Sequence, residues 1–310
     1  MDEFGIIARY FAPLAKDPGA LKLKDDAAFI SPRPGFDLVI TTDQIAAETD
    51  FFPHDPPATV AKKALRVNLS DLAAKGATPE YYLLSLALPS VREEWLADFA
   101  AGLAEDQREF GISLLGGDTS ATDGPLSISI TAMGFVPQGR MVKRAGAKAG
   151  DAVYVTGTIG DSAGGLAIFK REKHQLNDAQ RDYLTKCYQV PDPPVTFGAQ
   201  SLRDLASAAV DVSDGLIADL GHLAVASEVK IELDAEAIPR SDALRAFWGD
   251  GPDAILRAAT GGDDYQIAFT APPGLSGPFT RIGQVQAGAG VSLTFKGKQV
   301  VIPKPGYRHF

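Results

Sequence analysis

The sequence of 310 residues contains one cysteine, Cys187, and four histidines. A single cysteine excludes an intrachain disulfide and a zinc site made of several cysteines, and it is typical of proteins in a reducing compartment. His54, His174, His222 and His309 form no H-x-x-x-H pair. Any metal site is therefore expected to use oxygen ligands.

Long apolar runs and basic runs are also missing. No segment approaches the roughly 20 apolar residues that a membrane span needs, and the acidic N-terminus lacks the basic region and cleavage site of a secretory signal. With a net charge of −9 and no run rich in Lys and Arg, nucleic acid and anionic membranes are poor partners. We therefore expect a cytoplasmic protein that binds neither.

The chain length and a hydrophobic content of 45% allow a large core and favour two domains. Apolar spacing alternates between the periods of strands and helices, which predicts an α/β (α+β) fold. A glycine-bearing connector over residues 140–151 divides it into domains 1–140 and 150–310. The pattern also predicts one amphipathic helix over residues 3–15, and Ser90 and Glu93 have the spacing of a helix capping box.

The segment 65–76 carries polar groups on a packed helix. Its helical stripe ends at Gly76, which is typical of a residue just past a helix C-terminus. Asn68 and Asp71 lie at the edge of this stripe, where an unpaired charge costs on the order of several kcal/mol. Asp71 therefore either caps a neighbouring loop or holds a ligand.

Carboxylates recur where short apolar segments begin or end. These carboxylates are Asp25, Asp26, Asp43, Asp71, Asp118, Asp211, Asp214, Asp263 and Asp264. Ser213 or Asp214 taken alone could simply be a helix N-cap. The whole set, with few basic residues nearby, suits several Mg²⁺ ions around a polyphosphate, and it favours nucleotide-dependent phosphoryl transfer. The glycine-rich segment 157–165 matches neither G-x-G-x-x-G nor a P-loop, and it predicts a tight strand-to-helix turn.

Seven motifs occur in an order that resembles the thiamine-monophosphate kinase family, within the aminoimidazole-ribonucleotide synthetase-like ATP-binding superfamily. They are Lys24–Ala28, Thr41–Asp43, Ala64–Ala77, Gly116–Thr119, Arg144–Ala147, Asp211–Leu216 and Gly261–Tyr265. The resemblance covers essentially the whole chain. It implies an N-terminal α/β domain that forms a homodimer through its sheet, a C-terminal α/β domain, and ATP in a groove along the N-terminal domain.

The resemblance also implies a reaction, the transfer of the ATP γ-phosphoryl group to thiamine monophosphate. The residues that resemble the family's Mg²⁺ ligands are Asp26, Thr41, Thr42, Asp43, Asp71, Asp118, Asp211 and Asp214. Those that resemble its ATP contacts are Gly117, Asp118, Arg144 and Ser213. Asp263 and Tyr307 fall where the family holds its substrate.

The proposed acceptor explains why the sequence offers no catalytic acid or base. A phosphate monoester has a second pKa of about 6, so it is mostly dianionic at neutral pH and needs no base. The remaining difficulty is repulsion between two polyanions, which metal ions and Arg144 would relieve. We therefore expect direct in-line transfer and assign no acid–base residue.

Two positions depart from the family pattern. Asp50 stands where the family usually has a substrate-contacting His, and Asp263 where it usually has Glu. Both lie on the acceptor side. Two alternatives therefore stay open, a related ATP-dependent enzyme with a different acceptor and a binding protein that holds nucleotide or thiamine phosphates without turnover. Selenophosphate synthesis is disfavoured because the N-terminal region lacks cysteine.

Overall fold

The structure is a computed structural model that describes residues 2–173 and 175–308. His174 and His309, noted above, lie outside these ranges. The chain divides into two compact units. Unit 1 comprises the chain up to Leu72 together with Ala77–Met141, and unit 2 comprises Ala73–Gly76 together with the chain from Val142 onward.

Unit 1 contains a four-stranded sheet in the order β1-β4-β2-β3. The strands are β1 (Phe36–Ala46), β2 (Thr78–Leu88), β3 (Ser113–Ala121) and β4 (Ser127–Pro137). The helices are α1 (Glu3–Ile6), α2 (Pro57–Ala74) and α3 (Glu93–Phe110). Because β4 is antiparallel to β1 and β2, and β2 is parallel to β3, the strands β1, β2 and β3 run in one direction. The carboxyl ends of these three strands therefore lie at the same end of the sheet, which is where α/β proteins place ligands.

Helix α2 forms as its sequence predicts. It begins at Pro57, a residue suited to the first helical position because its missing N–H has no partner there. Leu65, Leu69 and Leu72 are completely buried. Gly76 adopts a left-handed φ of +71° and follows the last helical residues, which confirms it as the stop signal.

One local expectation in unit 1 is wrong, and another holds with an irregularity. Helix α3 begins at Glu93 with Arg92 as its N-cap and no side-chain cap bond, so Glu93 occupies the first helical position and not the third position that a capping box requires. The helix predicted over residues 3–15 is present as consecutive helical turns over 3–14, with Ile6, Tyr10 and Phe11 buried, but its hydrogen bonding is irregular. Helix α1 passes into a π-helical turn over Ile7–Phe11 and a 3₁₀ turn over Ala12–Leu14, where Pro13 supplies no N–H for a regular ladder.

Unit 2 contains a seven-stranded sheet in the order β11-β10-β7-β9-β5-β8-β6. Its strands are β5 (Ala152–Thr156), β6 (Ala208–Asp211), β7 (Val229–Asp234), β8 (Ile267–Ala271), β9 (Phe279–Ala287), β10 (Gly290–Phe295) and β11 (Lys298–Val300). Its helices are α4 (Asp161–Phe169), α5 (Asp178–Gln189), α6 (Val195–Phe197), α7 (Arg203–Leu205), α8 (Leu216–Ser227), α9 (Asp242–Trp248) and α10 (Pro252–Ala259). The only parallel pair described in this sheet is β7 with β10.

The core of unit 2 lies between its sheet and α8. Val153, Val210 and Ile231 on three strands join Leu220 of α8 in one buried cluster. The glycine-rich segment is the tight strand-to-helix turn that its sequence predicts, since β5 ends at Thr156 and α4 begins at Asp161. Among the helices within the described ranges, none is both long enough and apolar enough to cross a membrane.

Candidate functional site

In unit 1, α2 and β1 bring two of the predicted metal ligands together. The Thr41 hydroxyl, on β1, donates a hydrogen bond to the Asp71 carboxylate, on α2. The Asn68 side-chain oxygen accepts the backbone N–H of Asp43 at 3.0 Å, and its amide donates to the Ala64 carbonyl at 3.0 Å. Because Asn68 is fully buried, its bond to the Asp43 N–H fixes the helix against the strand. The partner of Asp71 is therefore a strand hydroxyl, and the loop-capping alternative does not apply to it.

The two carboxylates interact electrostatically. Asp43 is solvent-accessible on one side, but the protein atoms around its carboxylate, and next the charge of Asp71, raise its pKa to about 6. Across residues 2–173 and 175–308, no basic side chain forms an ion pair with Asp43 or Asp71. This part of unit 1 therefore has excess negative charge that a divalent cation could neutralise.

A cavity of about 540 Å³ lies on another part of unit 1. Asp25, Asp26, Gly117, Asp118 and Thr131 are among its polar or small lining residues, and Phe4, Ile7, Phe11 and Leu23 supply an apolar wall. A Cβ atom added to Gly117 would lie 1.7 Å from the Leu84 carbonyl oxygen, so only glycine fits there. The structure thus brings Asp26 together with Gly117 and Asp118, in a cavity large enough for a small ligand.

The strand register keeps Asp118 away from Asp43 within one chain. Asp118 pairs with Ser85, Ser85 with Ser129, and Ser129 with Gln44. Three strand spacings of about 4.8 Å place β3 about 14 Å from β1. Thr42 lies between the two groups, since its hydroxyl donates to the Ile130 carbonyl at 3.1 Å and lies 3.1 Å from the hydroxyl of the cavity residue Thr131.

Asp50 lies in the turn after β1. One carboxylate oxygen accepts the backbone N–H of Ala46 at 2.8 Å, and the Lys63 ammonium donates to the Asp50 carbonyl at 2.8 Å. The Asp50 side chain therefore bends toward its own turn. These two hydrogen bonds help to shape the loop after β1.

In unit 2, three predicted segments meet. The backbone N–H of Asp263 donates to the Ser213 carbonyl at 2.8 Å, and the backbone N–H of Tyr307 donates to the Asp214 carbonyl at 2.9 Å. Asp211 is buried at the end of β6, next to the same loop. The structure therefore gathers the predicted residues of the 211–215, 261–265 and 306–307 segments in one region.

Arg144 lies elsewhere in unit 2. Its carbonyl accepts a hydrogen bond from the Ser227 hydroxyl at 3.0 Å, and the neighbouring Lys143 carbonyl accepts the Ala209 N–H at 2.9 Å. Arg144 is therefore beside the start of β6, whereas Asp211 is at its end. Its side chain is exposed, so the guanidinium can reach a phosphate.

Two further residues in this region were missed from the sequence. Asp214, Asp219 and His222 each offer a ligand atom, and these atoms lie within 4.8 Å of one another. The Asp219 carboxylate also accepts the N–H groups of Ser213, Asp214 and Gly215 at 3.0–3.1 Å. Burial, and next the charge of Asp214, raise its pKa to about 7. The sequence signal for Asp219 was its place in the first turn of α8, a few residues after the polar 211–215 segment.

The chain is similar to known proteins along nearly its whole length. Models of the AIR synthase related proteins match the chain twice, the N-terminal domain over residues 24–136 and the C-terminal domain over residues 148–296. The chain is 42% identical over 322 residues to the thiamine-monophosphate kinase of Salmonella typhimurium. This alignment covers 99% of this chain and 98% of that protein. The chain belongs to the thiamine-monophosphate kinase family.

Solved structures of this family agree with its fold. The crystal structure of the thiamine-monophosphate kinase from Stenotrophomonas maltophilia K279a is 39% identical, with a TM-score of 0.85 and coverage of 97% of this chain and 98% of that one. The structure of AaThiL complexed with AMPPCP and TMP is 33% identical, with a TM-score of 0.82 and coverage of 90% and 89%. The family and the two-domain α/β fold expected from the sequence are confirmed.

Proposed function

We propose that the protein transfers the γ-phosphoryl group of ATP to thiamine monophosphate and forms thiamine diphosphate and ADP. The observation that carries the proposal is the full-length similarity to thiamine-monophosphate kinases, together with the relative AaThiL, which was solved with AMPPCP and TMP. The uncompensated pair of Asp43 and Asp71 adds physical support, because phosphoryl transfer between polyanions depends on neutralising charge.

Mg²⁺ is the metal that the donor set fits. The proposed ligands offer only oxygen atoms, and Asp43 and Asp71 have no basic partner among the described residues. We propose that several ions are held by Asp26, Thr41, Thr42, Asp43, Asp71, Asp118, Asp211 and Asp214. When bound, Mg²⁺ would neutralise phosphate charge and hold the reacting oxygens in line.

The remaining roles fall to side chains and backbone of the chain itself. We propose that Gly117, Asp118, Arg144 and Ser213 contact ATP, and that Asp50, Asp263 and Tyr307 contact or shape the site of the acceptor. Gly117 and Asp118 line the cavity of unit 1, and the exposed Arg144 can pair with phosphate oxygens. The acceptor is already a dianion, so the proposal needs no general base.

The decisive experiment measures ADP release with purified protein, ATP and Mg²⁺, with and without thiamine monophosphate. The proposal expects ADP release that requires the acceptor, yields thiamine diphosphate in equal amount and stops when EDTA removes divalent cations. Binding of both ligands without turnover would support the silent binding protein. ATP binding without any response to thiamine monophosphate would support an enzyme with another acceptor.

We also propose that the chain has two domains, residues 1–140 and 150–310. We further propose that it forms a homodimer through the sheet of unit 1. Phe36, Leu38 and Ile40 on edge strand β1 are 43%, 41% and 58% exposed, and every second residue of a strand faces the same side. An apolar stripe on an edge strand suits burial by another chain. A cytoplasmic location is proposed too, because ATP is the co-substrate and the chain has a single cysteine.

The dimer is tested by light scattering after gel filtration at micromolar concentration. We expect a dimer for the natural chain and a monomer for Ile40→Asp, since that charge would be buried in the interface. Val301→Asp is the matched control, because Val301 is 81% exposed but lies in unit 2. A monomeric natural chain would contradict this part of the proposal.

A further inference from the structure

The loop Gly261–Tyr265 has a strained backbone. Asp263 has a φ of +68° and Tyr265 a φ of +51°, although neither residue is glycine. Residues with a side chain rarely adopt this left-handed region, and such exceptions concentrate at functional sites. Two of them within three residues indicate that this loop conformation is imposed by its surroundings.

The surroundings hold the loop from two sides. The N–H groups of Asp263 and Tyr265 donate to the carbonyls of Ser213 and Val212 at 2.8 and 2.7 Å. Between them, the buried Asp264 carboxylate accepts the Gly160 N–H at 2.7 Å, at the start of α4. The backbone at Asp263 and Tyr265 is therefore fixed, so the Cα–Cβ bonds of both residues have defined directions.

The two side chains are joined directly. The Tyr265 phenol donates a hydrogen bond to Oδ1 of Asp263 at 3.1 Å, and both residues are half-buried. A carboxylate with one oxygen held in this way has a restricted rotation about its side-chain bonds. Tyr265 is thus placed to decide which way the Asp263 carboxylate faces.

We propose that Tyr265 is a positioning residue for the acceptor. It holds the Asp263 carboxylate toward the cationic ring of a phosphate monoester that carries a heteroaromatic cation. An anionic carboxylate repels a phosphate and attracts a cation, so its orientation discriminates between the two ends of such an acceptor. The inference rests on the proposed function, in which Asp263 contacts thiamine monophosphate, and adds the residue that orients it.

Tyr265→Phe in the full-length protein tests this by removing one oxygen atom and keeping the ring. We expect the KM for thiamine monophosphate to rise about five- to tenfold, while kcat and the KM for ATP stay within about twofold. Tyr183→Phe is the matched control. Its phenol donates to an Asp161 carboxylate oxygen at 3.0 Å in the same unit, and all three kinetic parameters should stay unchanged.

A double-variant cycle separates positioning from a general structural role. In an Asp263→Ala background, adding Tyr265→Phe should change the KM for thiamine monophosphate by less than twofold, because the group that Tyr265 orients is gone. An effect of the same size in both backgrounds overturns the inference. So does an equal rise in the KM values of both substrates, or no change in the single variant.

Calorimetric binding of thiamine monophosphate to the holoprotein distinguishes the two levels of proposal. If the natural chain binds this compound but does not phosphorylate it, the proposed function fails, and weaker binding by Tyr265→Phe still supports the inference. If the natural chain is active and Tyr265→Phe is indistinguishable from it, only the inference fails. A natural chain that neither binds nor phosphorylates thiamine monophosphate overturns both.

Discussion

The side-chain oxygen of Asn68 on α2 accepts the backbone N–H of Asp43 on β1 at 3.0 Å. This bond joins the helix and the strand that carry the two carboxylates of unit 1. Its energetic importance follows from the complete burial of Asn68, since removing this side chain would take the acceptor from a partly buried N–H. The carboxylate pair is therefore supported by rigid elements, as a site that must hold small ions requires.

Asn68→Ala should weaken both the fold and the response to metal. We expect the free energy of unfolding to fall by about 1–3 kcal/mol, because the Asp43 N–H loses its partner, and the Mg²⁺ concentration for half-maximal rate to rise. Asn177→Ala is the control, since Asn177 caps α5 in unit 2 and its loss should cost about 1 kcal/mol without altering the metal response. Urea denaturation measures the free energy of unfolding, and Mg²⁺ titrations of the rate measure the metal response. An unaltered Mg²⁺ response in Asn68→Ala would mean that Asn68 does not support the metal site.

Asp71→Asn should abolish phosphoryl transfer and keep the fold. An amide oxygen can still accept the Thr41 hydroxyl, but the negative charge is gone, and we expect the rate to fall by on the order of 100-fold or more. Asp37→Asn is a control on the same strand, where Asp37 accepts the Gly139 N–H at 2.7 Å. Initial rates and thermal melts are compared. Full turnover by a folded Asp71→Asn protein would be incompatible with a metal centre at this residue.

Phosphoryl transfer should be direct, without a phosphorylated enzyme. None of the four histidines belongs to the seven motifs, and the dianionic phosphate of the acceptor can attack ATP by itself. The protein is incubated with γ-labelled ATP without acceptor and then denatured. We expect no label on the polypeptide, and stoichiometric label would show that a covalent step exists.

Asp50→His tests the proposed role of Asp50 at the acceptor site. A carboxylate cannot donate a hydrogen bond to phosphate unless it is protonated, whereas His can. We expect the KM for ATP to stay constant and the KM for thiamine monophosphate to stay equal or fall, with some loss of stability because the Ala46 N–H loses its acceptor. Asp50→Asn removes the charge, keeps an acceptor and serves as the control. A large rise in the KM for thiamine monophosphate with Asp50→His would mean that the Asp50 carboxylate is a working contact.

Asp264 should make stability depend on pH. Burial raises its pKa well above the usual 3.8, against the opposing effect of the Gly160 N–H. At a pH between the unfolded and folded pKa values of Asp264, the folded chain binds more protons than the unfolded chain. The contribution of Asp264 to the free energy of unfolding is therefore fully present below about pH 4. It is lost as the pH rises through the folded pKa.

Asp264→Asn has no group to titrate at this position and gives the reference. The stability of the natural chain minus that of Asp264→Asn should fall as the pH rises above about 4, as measured by urea denaturation at a series of pH values from about 4 upward. A difference that is constant over this range would mean that Asp264 titrates normally in the folded protein.

Local signals in the sequence were enough to predict α2 and the acidic motifs. Pro57 and Gly76 mark the two ends of α2, and both act through backbone geometry that neighbours along the chain determine. The capping-box prediction failed because the Ser90 spacing is also compatible with an extended segment before α3. Such short motifs do not fix a helix start by themselves.

Non-local arrangement is what the sequence could not provide. The separation of Asp118 from Asp43 depends on β4 and β2 lying between β3 and β1, and this strand order is set by long-range pairing. Asp219 and His222 were missed for a similar reason. Their proximity to Asp214 arises only when α8 folds behind the loop at the end of β6.

The assignment of Ala73–Gly76 to unit 2 has a consequence for truncation. The Lys75 ammonium donates to the Ala209 carbonyl at 3.0 Å, the Arg203 guanidinium donates to the Gly76 carbonyl, and the Val142 N–H donates to the Lys75 carbonyl at 3.1 Å. A fragment that starts at Val142 would lack a four-residue piece of its own folding unit. Separate expression of the C-terminal half would therefore require those residues to be supplied, for example joined to the fragment through a flexible linker.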